Sequence, residues 1–260
     1  MSEKSIFDLS GKVALITGGG SGLGRAYCEA MAEFGADVAC NDIAEQRAQE
    51  TAKLISKYGH RAIAIKADVS KQDEIRKMVD TTLKELGSID VVFANAGFLD
   101  KAMARVHEAS VEDWDRVFAT VLRGTFLLMQ AVFPIMMKKG GSLIATASMN
   151  GMWPVPPGGI FHLFNAYNSS KAGVIALTKA AARQYGEYGI RVNAICPGYH
   201  RTGIAPAEQS AEVEKIVLPL TPLNRIGLPE DIKGLAVYLA SEASSFVTGQ
   251  TFVQDGGYIA

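Results

Sequence analysis

The alternation of amphipathic stretches with short apolar runs constrains the fold of this chain more than any other feature. Stretches such as 24–34, 44–57 and 73–86 carry apolar residues three and four positions apart, which is the spacing of a helix with one buried face. The runs between such stretches are mostly apolar on both sides, as strands covered by helices on two faces are. These runs are residues 13–17, 37–41, 62–66, 91–94, 142–147, 191–195 and 250–253. The alternation predicts an α/β fold with a doubly wound parallel sheet of about seven strands and helices on both faces.

The chain offers no obvious point of division. It has 260 residues, of which 48% are hydrophobic, and this is enough for one sizeable core. With no repeat or linker in view, we expect a flexible start at residues 1–8 and a single domain at 9–260. Two segments, at about 149–165 and 199–225, break the alternation. Long irregular segments in a compact domain usually carry function, so we expect both to form substrate loops.

The charge balance limits which partners the protein can bind, and the cysteines indicate its cellular compartment. The 26 basic and 27 acidic residues give a net charge of -1, whereas a broad nucleic-acid surface needs a basic excess. No apolar run suggests a membrane span, and none opens the chain as a signal peptide. The three cysteines, Cys28, Cys40 and Cys196, lie in apolar stretches without metal-ligand spacing. We therefore expect buried, reduced thiols, no metal, and a cytoplasmic protein that binds neither nucleic acid nor membrane.

A glycine-rich turn joins the first predicted strand to the first helix. Residues 17–24 read TGGGSGLG. Glycines allow positive φ angles and a close approach of the backbone to a ligand, and the free N–H groups at a helix start attract phosphate. Tight turns also use glycine for structural reasons alone. The strand before, the helix after, and Asp42 at the end of the second strand favour dinucleotide binding.

Further short motifs follow this turn in a definite order. They are Asp68-Val69, Asn95-Ala96-Gly97, Ser148, Tyr167-x-x-x-Lys171, Pro197-Gly198 and Asp255-Gly256-Gly257. Over residues 9–258 the ordered set resembles the short-chain dehydrogenase/reductase family in its NAD-linked type. The resemblance implies a Rossmann-type oxidoreductase that transfers a hydride between the cofactor NAD and a secondary alcohol or ketone. It also implies a homotetramer, or a homodimer.

The resemblance assigns roles to individual residues. Those matching Asp68 and Val69 flank the adenine, and the one matching Thr202 contacts the nicotinamide amide. A strand-end cap is the structural alternative for Asp68. The implied cofactor-binding set is Gly18, Ser21, Gly22, Leu23, Gly24, Asp42, Ile43, Asp68, Val69, Asn95, Ala96, Gly97, Tyr167, Lys171, Pro197, Gly198, His200 and Thr202.

Asp42 indicates which nicotinamide cofactor is used. A carboxylate at this position can accept hydrogen bonds from both adenosine ribose hydroxyls and repels the 2′-phosphate of NADP. The residue before Gly22 is Ser21 rather than a basic residue, and the nearest arginines, Arg25 and Arg47, fall in predicted helices. The sequence therefore predicts NAD, with a surface carboxylate as the alternative interpretation of Asp42.

The predicted catalytic residues are Ser148, Tyr167 and Lys171. Residues 165–185 read as a helix, on which Tyr167 and Lys171, four positions apart, share a face. A free tyrosine, with a pKa of about 10, is a poor base, but a nearby ammonium and an oxidised nicotinamide favour the phenolate. Tyr167 can then take the alcohol proton or return it to a ketone. Ser148, at the end of the fifth strand, is expected to orient the substrate oxygen.

The sequence departs from the family pattern at three places. The stretch between Ser148 and Tyr167 is long. We interpret it as a pocket wall suited to an apolar or ring-shaped substrate; a surface insertion against a neighbouring subunit is the alternative. Its predicted pocket residues are Met149, Trp153, Phe161 and His162.

The second departure is His200, in a place that is commonly small and aliphatic. A solvent-facing imidazole is the favoured interpretation, and one facing the nicotinamide or substrate is the alternative. The third is Val121, where the family has an asparagine that supports a proton-relay water. Either the relay is broken or backbone carbonyls near Val121, with the Thr120 hydroxyl, hold the water; we favour the second. A catalytically impaired NAD-binding assembly or sensor protein is the alternative function.

Overall fold

Seven strands form one parallel sheet in the computed structural model, which describes residues 5–152, 161–203 and 207–260. The strand order is β3-β2-β1-β4-β5-β6-β7. The strands are β1 (Val13–Ile16), β2 (Asp37–Asp42), β3 (Ala62–Lys66), β4 (Val91–Ala94), β5 (Gly141–Thr146), β6 (Ile190–Pro197) and β7 (Thr251–Gln254). The predicted doubly wound sheet is confirmed, and every strand lies within two residues of its predicted bounds.

Helices cover both faces of this sheet. They are α1 (Gly22–Glu33), α2 (Glu45–Ile55), α3 (Gln72–Leu86), α4 (Val111–Phe118), α5 (Gly124–Met136), α6 (Asn165–Tyr185), α7 (Ala207–Val217) and α8 (Lys233–Ala240). Along β1, Val13 and Leu15 join a core with α3 to α6, whereas Ala14 and Ile16 join a core with α1, α2 and α8. Both faces of each inner strand are thus buried, which explains runs without polar alternation.

The strand order reverses at β1, which pairs with β2 on one side and β4 on the other. Ligands of open α/β sheets bind in the crevice beyond the carboxyl ends of the strands at such a reversal. The glycine-rich turn follows β1 at this point, and Ser148 lies just beyond β5.

A π-helical turn, Ala119–Arg123, joins α4 to α5. Within the described residues, the resulting helix Val111–Met136 is long and apolar enough to cross a membrane by length and composition. This corrects the expectation that no apolar run suggests a span. Its buried side chains, including Val117, Leu128 and Phe133, pack against the sheet as part of the core. Core helices of globular proteins pass the same length test, so the stretch is weak evidence for a membrane segment.

Two expected loops need comment. The segment 199–225 is not irregular throughout, because its middle forms α7, whose sequence AEQSAEVEKIV is rich in helix-forming residues. Of the segment 149–165, residues 153–160 lie outside the described residues, and so does the predicted pocket residue Trp153. At the start of the chain, residues 1–4 are likewise outside them, and the Ile6 carbonyl accepts a hydrogen bond from the Ala243 amide.

Candidate active site

The glycine-rich turn is shaped by contacts that only glycine permits. Gly18 and Gly22 have φ angles of +63° and +52°. A Cβ on Gly24 would stand 2.0 Å from the Gly18 carbonyl oxygen, and one on Gly22 would stand 3.0 Å from the Cβ of Thr202. Ser21 precedes α1 in extended conformation and makes no side-chain cap bond, so the first amides of this helix remain available to an anion.

Asn95 ties the end of β4 to this turn. Its side-chain amide donates to the carbonyl oxygens of Thr17 and Gly18, at 2.9 and 3.3 Å. The Thr17 hydroxyl accepts from the backbone amides of Asn95 and Ala96, at 3.0 and 3.2 Å. Asn95 and Ala96, both in the implied cofactor-binding set, therefore belong to the same hydrogen-bonded unit as the glycine-rich turn.

Asp42 occupies the end of β2 beside that turn. Its carboxylate accepts from the Gly20 amide at 3.1 Å and from the Ala44 amide at 2.9 Å, and the residue is 6% exposed. The interpretation of Asp42 as a surface carboxylate is therefore wrong. Each oxygen keeps a further lone pair for a hydroxyl donor. Ile43, the next residue, is exposed at the edge of the site.

The predicted adenine residues lie after β3. The Asp68 carboxylate accepts from the Ser70 amide and hydroxyl at 2.9 and 2.7 Å, so the capping role that stood as its alternative is present. Val69 is buried, and its backbone packs on Gly124. The glycines, the free amides at the start of α1 and the Asp42 carboxylate together form a cradle that fits a dinucleotide.

Ser148, Tyr167 and Lys171 come together at the carboxyl ends of the strands. The Ser148 hydroxyl lies beside the Tyr167 phenol, close enough to lower its pKa. The Lys171 ammonium lies 5.4 Å from the centroid of the Tyr167 ring, and it donates to the Thr146 carbonyl at the end of β5. Lys171 is 3% exposed. The predicted convergence of these three side chains is present in the structure.

Burial dominates the protonation of this group. It raises the pKa of Tyr167 to about 12, against the lowering effect of the Ser148 hydrogen bond. It lowers the pKa of Lys171 to about 8, partly offset by the Cys196 thiol nearby. Burial of the phenol therefore opposes formation of the phenolate in the chain by itself.

A cleft of about 940 Å³ opens in front of Ser148 and Tyr167. Met149 and Phe161, two predicted pocket residues, line it, and so does Phe164. His162 is exposed and is not part of the lining, which corrects its predicted place in the pocket. Its neighbour Phe161 turns inward because the two belong to one short 3₁₀ turn, Phe161–Leu163, whose successive side chains diverge.

Comparison with known proteins matches this geometry to a family. The family model described as enoyl-(acyl carrier protein) reductase matches residues 18–259. Glucose 1-dehydrogenase 2 of Bacillus subtilis is 36% identical over 253 residues, covering 96% of this chain and 95% of that protein. Cyclohexanol dehydrogenase of an Acinetobacter species is 36% identical over 248 residues, covering 95% and 94%. The crystal structure of a short-chain type dehydrogenase/reductase from Mycobacterium marinum is 40% identical, covers 98% of both chains and has a TM-score of 0.91.

The chain belongs to the short-chain dehydrogenase/reductase family. It is therefore an oxidoreductase, and the dehydrogenases of this family use nicotinamide cofactors. The resemblance drawn from the ordered motifs is confirmed.

The departure at Val121 lies in the π-helical turn. Its side chain is buried, 3.3 Å from the position that a Cβ on Gly97 would take. Lys171 Nζ is 3.7 Å from that same position, so Gly97 leaves room between the two side chains. The Val121 carbonyl accepts from the Thr125 hydroxyl at 2.7 Å. A π-helical turn shifts backbone carbonyls out of the regular α-helical ladder, so the backbone is irregular at the very place where the asparagine is replaced.

The structure does not bear out the favoured interpretation of His200, the second departure. Its imidazole is 7% exposed and lines the cleft, so the solvent-facing interpretation is wrong. Nδ1 lies 3.0 Å from the Gly198 carbonyl, which can only accept, so Nδ1 carries the proton. The ring packs on Gly227, where a Cβ would stand 2.7 Å from His200 Cδ2. Pro197, Gly198 and Thr202 line the same end of the cleft.

Sequence reasoning missed one acidic residue of the cleft. Asp100 lies in the loop after β4, and its carboxylate accepts from the amides of Ala166 and Tyr167 in α6. Burial raises the pKa of this carboxyl, against the lowering effect of the two amides. No local pattern could have identified it, because its partners lie 66 and 67 residues further along the chain.

Proposed function

We propose that this protein is an NAD-dependent dehydrogenase or reductase that interconverts a secondary alcohol and its ketone. The observation that carries the proposal is the convergence of Ser148 and Tyr167 at the inner end of an apolar cleft, with Lys171 buried near the Tyr167 ring. The glycine-rich turn and Asp42, which would hold the cofactor, open at the same end of the sheet.

Each of the three catalytic residues has its own role in the proposed reaction. Ser148 donates to or accepts from the substrate oxygen and holds it against the phenol of Tyr167. Tyr167 takes the hydroxyl proton during oxidation and returns it during reduction. The bound nicotinamide supplies the hydride acceptor or donor. Lys171, whose ammonium donates to the Thr146 carbonyl, would keep positive charge near the phenol and would contact the nicotinamide ribose.

The preference for NAD rests on Asp42. Its buried carboxylate would accept hydrogen bonds from the ribose hydroxyls, and a 2′-phosphate there would meet a negative charge in a poorly solvated place. Arg47 lies beside Gly20 on the same side, since a Cβ on Gly20 would stand 2.6 Å from Arg47 Cβ. Asp42 is the last residue of β2, whereas Arg47 lies in α2. We infer that the carboxylate, rather than the guanidinium, decides the preference for NAD.

The substrate class follows from the lining of the cleft. Apolar side chains make up most of the wall: Leu23, Phe98, Leu99, Met103, Met149, Phe161, Phe164, Val213 and Ile216. Such a lining with a few polar groups suits a ligand with a compact apolar body next to its hydroxyl. The similarity to a cyclohexanol dehydrogenase supports a ring-shaped alcohol.

Steady-state kinetics test this proposal. We expect kcat/KM for cyclohexanol to exceed that for sorbitol, and kcat/KM with NAD to exceed that with NADP. Asp42→Ala should narrow the cofactor preference by removing both the ribose acceptor and the repulsion, with Asp42→Asn as the control that keeps an acceptor without charge. Equal or better efficiency with NADP in the native protein contradicts the cofactor assignment. Polyols as far better substrates contradict the substrate class.

Assembly and location complete the proposal. The outer face of α4 and α5 exposes Trp114 at 38% and Phe126 at 48%, which favours self-association, and we propose a homotetramer. Cys28, Cys40 and Cys196 are all free and buried, as expected, and this favours a reducing, cytoplasmic setting. Light scattering of the purified protein measures the assembly, and a monomeric mass contradicts it. Cell fractionation tests the location, and recovery of the protein outside the cytoplasmic fraction contradicts it.

A further inference from the structure

The helix that carries Tyr167 and Lys171 is capped by a residue from a distant loop. Asp100 Oδ2 accepts from the Ala166 amide at 3.2 Å, and Oδ1 accepts from the Tyr167 amide at 3.1 Å. These are the second and third amides of α6, the ones that an N-cap side chain ordinarily satisfies. The residue in the N-cap position is Phe164, whose side chain has no acceptor. Asp100 therefore takes the place of the missing N-cap.

The cap also brings charge to the helix. α6 has 21 residues, and its first turn contains no acidic residue. A carboxylate at the positive end of a helix dipole stabilises that end. The carboxylate is bound to the amide of Tyr167 itself, and a negative charge near a phenol opposes formation of the phenolate.

The loop that presents Asp100 is fastened on both sides by α4. Arg116 donates to Asp113 Oδ1 through Nε at 2.9 Å and to the Leu99 carbonyl through Nη2 at 3.3 Å. The Lys101 amide donates to Asp113 Oδ2 at 2.6 Å. The backbone is thus held at the residue before Asp100 and at the residue after it.

The same loop is a wall of the cleft. Phe98, Leu99 and Asp100 all line it, and the Arg116 guanidinium stacks on the Phe98 ring at 4.0 Å. Any displacement of Asp100 would therefore move the cleft wall and the start of the catalytic helix together.

We propose that Asp100 is a positioning residue: its carboxylate fixes the first turn of α6, and so sets where the Tyr167 phenol stands and the field that it experiences. Asp113 and Arg116 hold Asp100 in turn and are the charged groups that face it. Tyr167 itself is faced by Ser148, Cys196 and Lys171, which α6 and the strand ends supply. The measurement of kcat rests on the proposed function, whereas the measurement of amide exchange in α6 does not.

The test is Asp100→Asn in the full-length protein, with Asp115→Asn, an exposed aspartate on α4, as the matched control. We expect kcat for alcohol oxidation to fall about 10-fold or more, because small displacements of a reacting group are costly. The acid limb of the kcat profile should move by roughly half a unit to lower pH, because removal of the negative charge favours the phenolate. Cofactor affinity should stay within about two-fold, since Lys171 lies a full turn further along α6.

Hydrogen exchange supplies the readout that is independent of activity. Asparagine keeps only one accepting oxygen, so in Asp100→Asn at least one of the Ala166 and Tyr167 amides should exchange faster, while the amides of the middle of α6 remain protected. Asp113→Asn leaves Asp100 intact and should show smaller changes of the same kind in amide exchange, kcat and the acid limb. It replaces Asp100→Asn as the test variant if Asp100→Asn does not fold. Unchanged amide exchange, or an unchanged kcat and pH limb in an active enzyme, overturns the proposal. A native protein inactive on every alcohol, with exchange that responds as described, contradicts the proposed function and leaves Asp100 as the cap.

Discussion

The hydroxyl of Tyr167 carries the proton in the proposed reaction, so its removal separates chemistry from binding. Tyr167→Phe keeps the ring in its buried place and deletes the partner of the Ser148 hydroxyl. We expect kcat to fall by roughly 10²–10⁴-fold, as for the loss of a general acid or base, with unchanged cofactor affinity. Tyr185→Phe, on the same helix and packed against Phe133, is the control and should keep native kcat. A near-native kcat in Tyr167→Phe removes this residue from the mechanism.

Single residues differ in how well the sequence identifies them. Tyr167 and Lys171 could be placed because four positions along one helix fix their common face. Asp100 could not, because it caps a helix 66 residues later. The orientation of His200 depends on Gly227, which gives the ring its space from 27 positions away in the chain.

At the scale of elements, the strands were predictable because burial on both faces leaves them almost free of polar residues. Their ends shift by one or two residues because the last pairs depend on the neighbouring strand, as where β6 continues to Pro197 beside Gln254 of β7. The helix α7 was missed because its helix-forming residues lie inside a segment that lacks the apolar periodicity of the others. Turn geometry around the glycines, by contrast, follows directly from their positions.

The π-helical turn between α4 and α5 is the element on which the expected proton relay would depend. The backbone irregularity exists there without the asparagine, so we expect Val121→Asn to change kcat by less than about three-fold. The substitution places a polar amide in a buried apolar position, and the free energy of unfolding should fall by about 1–3 kcal/mol. Comparing kcat of both forms across pH, with the best alcohol found, checks the first point, and urea unfolding checks the second. An inactive native protein that Val121→Asn makes strongly active would show a broken relay and favour the impaired, non-enzymatic alternative.

For the molecule as a whole, we expect the burial of the Lys171 ammonium to lower the stability of the fold. Lys171 is 3% exposed, and burial lowers its pKa from 10.5 to about 8. Such a shift corresponds to roughly 3 kcal/mol of unfavourable free energy when the group is charged. At neutral pH this cost should lower the free energy of unfolding, and it accompanies the positive charge near Tyr167. Functional sites commonly lower stability in this way.

The last prediction follows from the sign of this shift. Between pH 8 and 10.5 the unfolded chain holds the Lys171 proton more tightly than the folded one, so the free energy of unfolding should rise with pH through this window. Lys171→Met removes the titration, keeps the length of the side chain, and should raise the free energy of unfolding at pH 7 by about 1–2 kcal/mol while abolishing turnover. Urea unfolding at pH 7 and pH 9.5, at one protein concentration, measures both effects, with exposed Lys179→Met on the same helix as the control. The upper pH stays below 10 because burial raises the pKa of Tyr167 from 10.0 to about 12. Between these two values the folded chain holds the Tyr167 proton more tightly, so the free energy of unfolding would fall with pH. Equal stability of the native and Lys171→Met proteins at pH 7, with parallel pH dependence, would show that the buried ammonium costs the fold nothing.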